Sequence, residues 1–415
     1  MKLGGILSFV MSGAARILNN GSVFLITIIL IRFGRVSELE IGVVLYCAAV
    51  LTVINLLTSF GMIEAIQFFV ATKNPAQIIT KSVNLQLIIS IVSSFTVLVI
   101  GILGFFGPFF TPDLVYALSF AVLFSGYDSF VLAYNGLGKQ LKSGIFQIIY
   151  IFLLLFVISI LNFNFKFSPS FSVLFGYGIV WFLMNFIILT SFISSKLYIF
   201  PLKPTFRENL PDKDFLKFCF NNFIFVLALM VITQIDIIFI ANILGSSVAG
   251  IYKPTAQIGL FIRSLGLAVT VPMFPILTGL IRIGDYKKSI FLVKILSGLI
   301  ISGSILFSVF CYFYGFIFLN LIFNQSRIAT TGSGILWQLV IFFGLNTAAM
   351  PIILLWQVSN NTKVLRNIIL TQSILLVLLL CFFTKFGIQF VIFSLIFTEI
   401  IFLPIHIFMI KKTFK

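Results

Sequence analysis

Seven charged side chains stand inside long apolar runs, where a membrane-spanning chain can hold a charge only at a cost. Arg16, Arg263 and Lys294 are the cations; Glu64, Asp128, Asp236 and Glu399 are the acids. A charge at the centre of a bilayer costs at least ~2.5–3.5 kcal/mol on insertion scales, so each must meet water, a partner or a ligand. Arg16 shares a helical stripe with Asn20 and Thr27, a polar face on one span. A guanidinium fork binds phosphate oxygens bidentately and stays charged, so arginines at this depth suit a phosphorylated substrate. The four acids can each bind a coupling proton or cation, or answer a buried cation.

Composition sets the class of element that positions them. The chain has 415 residues, is 60% hydrophobic and only 9% charged, and its mean hydropathy is +1.19. Soluble domains carry about 25% charged residues, so this is an integral membrane chain. The apolar runs are long enough for helices, which need about 20 residues each, and lack the short alternating segments of membrane strands. The start, "MKLGGILSFVMSGAARILNN", has no small-residue cleavage site after a short apolar core and reads as part of the first helix. Cys47, Cys219, Cys311 and Cys381 lie in or beside apolar runs with no paired spacing and read as small buried hydrophobes. With His406 as the sole histidine, a zinc site is not expected, and no cofactor is implied.

About twelve spans emerge, near 9–31, 41–71, 82–106, 114–135, 144–162, 171–193, 219–241, 255–280, 290–314, 335–357, 367–384 and 388–409. The second is long enough to tilt, and 315–323 suggests an interfacial piece. One alternate set of loops holds Lys2, Lys73 and Lys81, Lys139 and Lys142, Arg282, Lys287 and Lys288, Lys363 and Arg366, and Lys411, Lys412 and Lys415 at the C-terminus. The same set includes the mid-chain Lys196, Lys203, Arg207, Lys213 and Lys217. The opposite set holds only Arg32, Arg35, Lys166, Lys253, Arg327 and Lys385. Lys and Arg collect in cytoplasmic loops, so both termini are expected in the cytoplasm. The net charge of +16 is mainly this topology signal, and nucleic acid is a poor partner without a soluble domain.

The halves echo one another. "SSKLYIFPLKPTFRENLPDKDFLKF" (194–218) reads as a cytoplasmic linker, giving a six-helix bundle over 1–195, a linker over 196–214 and a second bundle over 215–415. "IRFGRVSELEIGVVLY" (31–46) and "IANILGSSVAGIYKP" (240–254) occupy equivalent turns, with Gly42 matching Gly250. "NGLGKQLKSG" (135–144) and "SNNTKVLRNI" (359–368) match Lys139 and Lys142 to Lys363 and Arg366. These echoes indicate a parallel repeat about an axis along the membrane normal.

The two hairpins "RFGRVSELEIGVVLY" and "ILGSSVAGIYKPTAQ", the "YNGLGKQLK" loop and the basic mid-chain linker give a chain that resembles the Wzx-type polysaccharide flippases. These belong to the multidrug/oligosaccharidyl-lipid/polysaccharide (MOP) exporter superfamily. The resemblance implies an all-α fold of two pseudo-symmetric bundles around a central cavity that opens alternately to each side. It implies as substrate an undecaprenyl-pyrophosphate-linked oligosaccharide, an O-antigen or capsular repeat unit, moved across a bacterial plasma membrane. Membrane lipids, a polysaccharide polymerase and a chain-length regulator are the partners such a pathway implies. Drug exporters of the same superfamily also have twelve spans and stand as the alternative.

A polysaccharide polymerase or glycosyltransferase is the rival from another class. No large outer loop and no Asp-rich cluster serves it, and "GLGKQ" lacks the spacing of a phosphate-binding GxxxxGK[ST] loop. Within the second hairpin, Pro254 suits the first turn of a helix, which puts Arg263 about 13 Å inside and lets Lys253 snorkel. Asp236, level with residue 257, then lies between Lys253 and Arg263 as the ion-pair candidate. Lys294, near the cytoplasmic edge, can snorkel or join the cationic cavity.

The loop charges predict that single cysteines placed at Ser195 and Ser246 react with an impermeant thiol reagent from opposite sides of the membrane. Labelling of both from outside contradicts the twelve-span topology.

Overall fold

The computed structural model describes residue 18 and residues 21–107, 109–198, 211–270, 273–359 and 362–413. It is all-helical, with no strand among the described residues. In order, the helices are α1 (Gly21–Phe33), α2 (Glu38–Ser59), α3 (Met62–Thr72), α4 (Pro75–Ile102) and α5 (Pro112–Leu123). They continue with α6 (Tyr127–Gly136), α7 (Gln140–Ser159), α8 (Pro169–Ser194), α9 (Lys213–Ile243) and α10 (Ser246–Thr270). Then come α11 (Met273–Arg282), α12 (Tyr286–Phe323), α13 (Ser326–Val358), α14 (Thr362–Phe383) and α15 (Ile388–Thr413).

Ten helical segments among the described residues are long and apolar enough to cross a membrane. The expected first span is described only over α1. The eighth, α10, has the length but falls short in apolar character, because Lys253, Gln257 and Arg263 interrupt it. Two expectations change. The second span does not run straight through; it breaks at Phe60–Gly61, where both residues take positive φ. Residues 315–323 are not a separate interfacial piece, since α12 continues unbroken through 38 residues, about 57 Å.

By contacts the described chain forms two compact units, one of Tyr46–Met230 and one of Asn20–Leu45 with Val231–Lys415. The first unit is closed by a face of serines and one glutamine. Ser82, Gln86, Ser90 and Ser94 recur every helical turn on α4, so that face packs closely on α5 and its exit. Ser90 Oγ lies 3.1 Å from Ser125 Oγ, and Ser94 Oγ lies 2.9 Å from Ser119 Oγ. The cytoplasm-type loops are tied down in the same unit. Lys73 and Lys81 reach Asp212 at 3.5 and 3.2 Å, and the hydrogen bond and charge of Lys81, reinforced by Lys73, hold that carboxyl below the usual carboxylate range. Lys142 of the "GLGKQLK" stretch donates to Ser191 Oγ at 2.6 Å and sits over the Tyr134 ring at 4.8 Å.

The second unit repeats the device on α12, where Ser297 and Ser308 donate to the carbonyls of Ala348 and Trp337 at 2.8 and 2.9 Å. It also gathers the two hairpin turns that the sequence matches. Ser37 and Glu40 cap α2 reciprocally: the Ser37 N–H donates to Glu40 Oε2 at 3.1 Å, and the Glu40 N–H donates to Ser37 Oγ at 3.4 Å. Arg32 donates to the Leu321 carbonyl at 3.1 Å, and Gln325 donates to the Val36 carbonyl at 3.0 Å. Gly42 lies against the Ser246 backbone and Gly250 against the Glu38 backbone. The contact is reciprocal, each glycine facing the residue one helical turn before the other. No side chain fits at either position, because the facing atoms are backbone and cannot turn aside.

Gly42→Ala and Gly250→Ala are each expected to destabilise the protein by about 1–3 kcal/mol. The double variant should cost less than the sum, since one displacement relieves both overlaps. Denaturation of the purified variants checks this; additive losses contradict the shared contact.

Candidate functional site

The α9–α10 hairpin positions the first charged cluster. Helix α9 runs to Ile243 and α10 starts at Ser246, with Gly245 between them at φ +96°. A turn this tight needs the left-handed backbone that glycine adopts without strain. Its centre lies at Leu244–Gly245, earlier than the sequence reading placed it, and this shifts the register. Asp236 and Lys253 are now level, each about 10 Å from its end of the turn. Two expectations are corrected accordingly. Lys253 does not snorkel; it is buried, 3.8 Å from Asp236 Oδ1, and donates to Gln234 Oε1 at 3.1 Å. Pro254 lies inside α10, not in its first turn.

Asp236 is fully occupied. Its Oδ2 accepts from the Tyr252 hydroxyl at 2.5 Å, and its Oδ1 accepts from the Ile237 N–H at 2.8 Å. Asp236 is therefore the partner of Lys253 and Tyr252, and not of Arg263. This cluster is buried and satisfied, which suits a clamp between two helices.

Arg263 lies about 25 Å along α10 and faces different chemistry. The acid whose field it feels is Glu399 of α15. Glu399 is buried, and its Oε1 accepts from Asn346 Nδ2 of α13 at 2.7 Å and from Gln372 Nε2 of α14 at 3.1 Å. Three helices thus fix one carboxylate opposite a guanidinium from a fourth. No salt bridge to Arg263 forms among the described residues, and its Nε and the Asn346 Oδ1 are buried without a hydrogen-bond partner. Gln257, on the same helix, is buried with both amide atoms unbonded. A guanidinium with an open donor beside a carboxylate held by neutral amides can receive an anion by trading one negative partner for another.

The other candidates separate from this cluster. Lys294 is exposed and lines a groove between α12, α13 and α15. Thr27 spends its hydroxyl on the Val23 carbonyl of its own helix at 2.7 Å, while Arg16 and Asn20 lie outside the described residues. In the first unit Glu64 is exposed on α3. Asp128, half-buried at the start of α6, has Asn55 as its hydrogen-bonding neighbour. Beside it Tyr127 stacks on Tyr150 at 4.5 Å, and Tyr177 packs on Trp181 at 5.4 Å. Of the cysteines, Cys47, Cys219 and Cys311 are buried, but Cys381 is on the exposed face of α14, where a thiol is as acceptable to lipid as to a core.

Sequence reasoning missed Gln257, Asn346 and Gln372. Their signal was available: each is a long amide in an otherwise apolar span, where an unpaired polar side chain is expensive.

No protein-family model matches the chain, and no curated protein matches it in sequence. Solved structures do match. A MATE transporter in complex with MaL6 superposes with a TM-score of 0.68 at 11% identity, covering 98% of this chain and 96% of that one. The outward-facing conformation of a multidrug resistance MATE family transporter of the MOP superfamily gives 0.67 at 11% identity, covering 98% and 95%. A MOP superfamily transporter from Pyrococcus furiosus Vc1, whose binding pocket is described as of reverse polarity, gives 0.62 at 12% identity, covering 98% and 95%. The chain is an all-α integral membrane protein with the two-lobe MOP fold.

Removing the Glu399 carboxylate strands the Arg263 charge and two amides, so Glu399→Ala should cost on the order of 3 kcal/mol. Adding Arg263→Ala should recover part of that loss, whereas adding Asp236→Ala should not. Unfolding of the purified variants decides it; recovery with Asp236→Ala instead would return Asp236 to the pair.

Proposed function

We propose that this chain is a flippase that moves an undecaprenyl-pyrophosphate-linked oligosaccharide, an O-antigen or capsular repeat unit, from the cytoplasmic to the outer leaflet of a bacterial plasma membrane by alternating access. The observation that carries this reading is Arg263, deep in α10 with a buried, unpartnered Nε and with Glu399 as the acid whose field it feels. Moving a pyrophosphate through hydrocarbon unassisted is prohibitive, so a lipid flippase must offer it cationic donors at depth. Arg263 offers such a donor, and Arg16 with Asn20, on the polar stripe of the first span, would add to it. Glu399 serves as the placeholder that the arriving pyrophosphate displaces. The fold supports transport: related MATE structures are known in both outward-facing and inward-facing conformations. Both termini on the cytoplasmic side follow from the basic loops, and the reading is of a transporter and not an enzyme.

A cation-coupled multidrug exporter is the second reading, and one observation favours it. Asp128 beside the Tyr127–Tyr150 and Tyr177–Trp181 rings is chemistry that attracts organic cations.

The test is restoration of surface polysaccharide in a flippase-deficient strain at matched membrane abundance. Arg263→Ala should lower it at least about tenfold, and Arg263→Lys should keep part, having the charge without the fork. Arg263→Ala with Glu399→Ala should be stable yet inactive. Full activity of that double variant, or drug resistance that depends on Asp128 with no effect on polysaccharide, overturns the flippase reading.

A further inference from the structure

A groove of about 200 Å³ runs between α12, α13 and α15, and its lining is almost wholly apolar. Its floor is α13, the most enclosed of the described spans, and one wall is α12, the least enclosed. The groove exists because the α12 wall is made of small residues at its middle. Nothing occupies the space where a side chain at Gly298 would stand, and Ser297 turns its hydroxyl to the Ala348 carbonyl at 2.8 Å. Beside the groove α12 exposes Phe291, Ile295 and Leu299, an apolar surface that only lipid can cover in a membrane.

Charge marks one end. Lys287, Ile290, Lys294, Gly298 and Ile301 follow one another at helical spacing on a single face of α12. Lys294 is exposed at the groove, and Lys287, also exposed, lies two turns nearer the basic loop. The one acid there, Asp285, is engaged in capping α12, its Oδ1 accepting from the Lys288 N–H at 3.0 Å.

We infer that this groove binds one acyl chain of an anionic phospholipid, with its phosphate held by Lys294 and Lys287. Length selects the occupant. From Ile290 to Ile301 the wall extends about 16 Å, close to half of a ~30 Å hydrocarbon core, so it fits a chain confined to one leaflet. A polyprenyl tail is far longer than the groove. The basic end lies on the side where the loop charges place the cytoplasm, and clusters of Lys between helices there attract anionic headgroups. The inference is independent of what the transporter carries, and it gives Lys294 a role apart from Arg263.

Native mass spectrometry of the full chain in mixed lipid tests it, with phosphatidylglycerol and phosphatidylethanolamine of identical acyl chains as probes and undecaprenyl phosphate as a third. The wild type should retain phosphatidylglycerol over phosphatidylethanolamine. Lys294→Gln, an exposed change that leaves packing intact, should lower that preference about fivefold, and Lys287→Gln should lower it less. Gly298→Phe should empty the groove of both phospholipids, while Phe291→Ala on the adjoining face should change nothing. Equal retention of the two phospholipids by the wild type overturns the inference, as does a preference untouched by Lys294→Gln. Stronger retention of undecaprenyl phosphate than of phosphatidylglycerol, lost in Gly298→Phe, would also overturn it by assigning the groove to a polyprenyl lipid.

Discussion

A cation inside hydrocarbon must be answered by a carboxylate, an amide, water or a ligand, because nothing else near it lowers the cost of its charge. The second unit carries two such cations on one helix, and the answers differ. Lys253 meets a carboxylate and an amide oxygen, both from α9, and the carboxylate is held in turn by a phenol from α10. Arg263 meets a carboxylate at longer range, and that carboxylate is held in place by two neutral amides from α13 and α14. The first arrangement is complete within a hairpin and locks it. The second ties four helices around an incomplete pair. That difference in completeness separates architecture from a candidate binding centre, and most of the functional account follows from it.

The same demand shapes the packing. With little hydrophobic drive between helices in lipid, close backbone approach and hydrogen bonds from small residues take over. Serines spaced by helical turns on α4 and on α12 do this in the two units, third helix of each repeat in both cases. Gly42 and Gly250 take it furthest, bringing backbone onto backbone where the two equivalent hairpin turns meet. A groove remains on α12 beside Gly298, where no neighbouring atom fills the space a side chain would take.

Much of this was legible in the sequence. Apolar runs and loop charges define the spans, and the match of Gly42 to Gly250 marked two positions that the fold brings together. The charged residues at depth were also visible, since polarity inside an apolar run needs no structure to be noticed. What stayed hidden was which charge answers which. Placing the turn only slightly late made Asp236 level with residue 257, when a turn at Leu244–Gly245 makes it level with Lys253. Near a tight turn, a small shift in the centre moves the facing residue by about twice as much, which is enough to change an ion-pair partner. The Glu399 cluster was hidden for a different reason: its members come from α10, α13, α14 and α15, and no spacing along the chain encodes their meeting.

The central claim is that Arg263 recognises the pyrophosphate of a lipid carrier, with Glu399 as the anion it relinquishes. Equilibrium binding of undecaprenyl pyrophosphate and of undecaprenol to the purified protein in nanodiscs tests that claim without requiring transport. The account predicts a clear preference of the wild type for the pyrophosphate, its near loss in Arg263→Ala, and tighter pyrophosphate binding in Glu399→Gln, where the competing charge is gone but an oxygen remains for Asn346 and Gln372. An unchanged preference in Arg263→Ala would contradict it and leave Arg263 a structural cation.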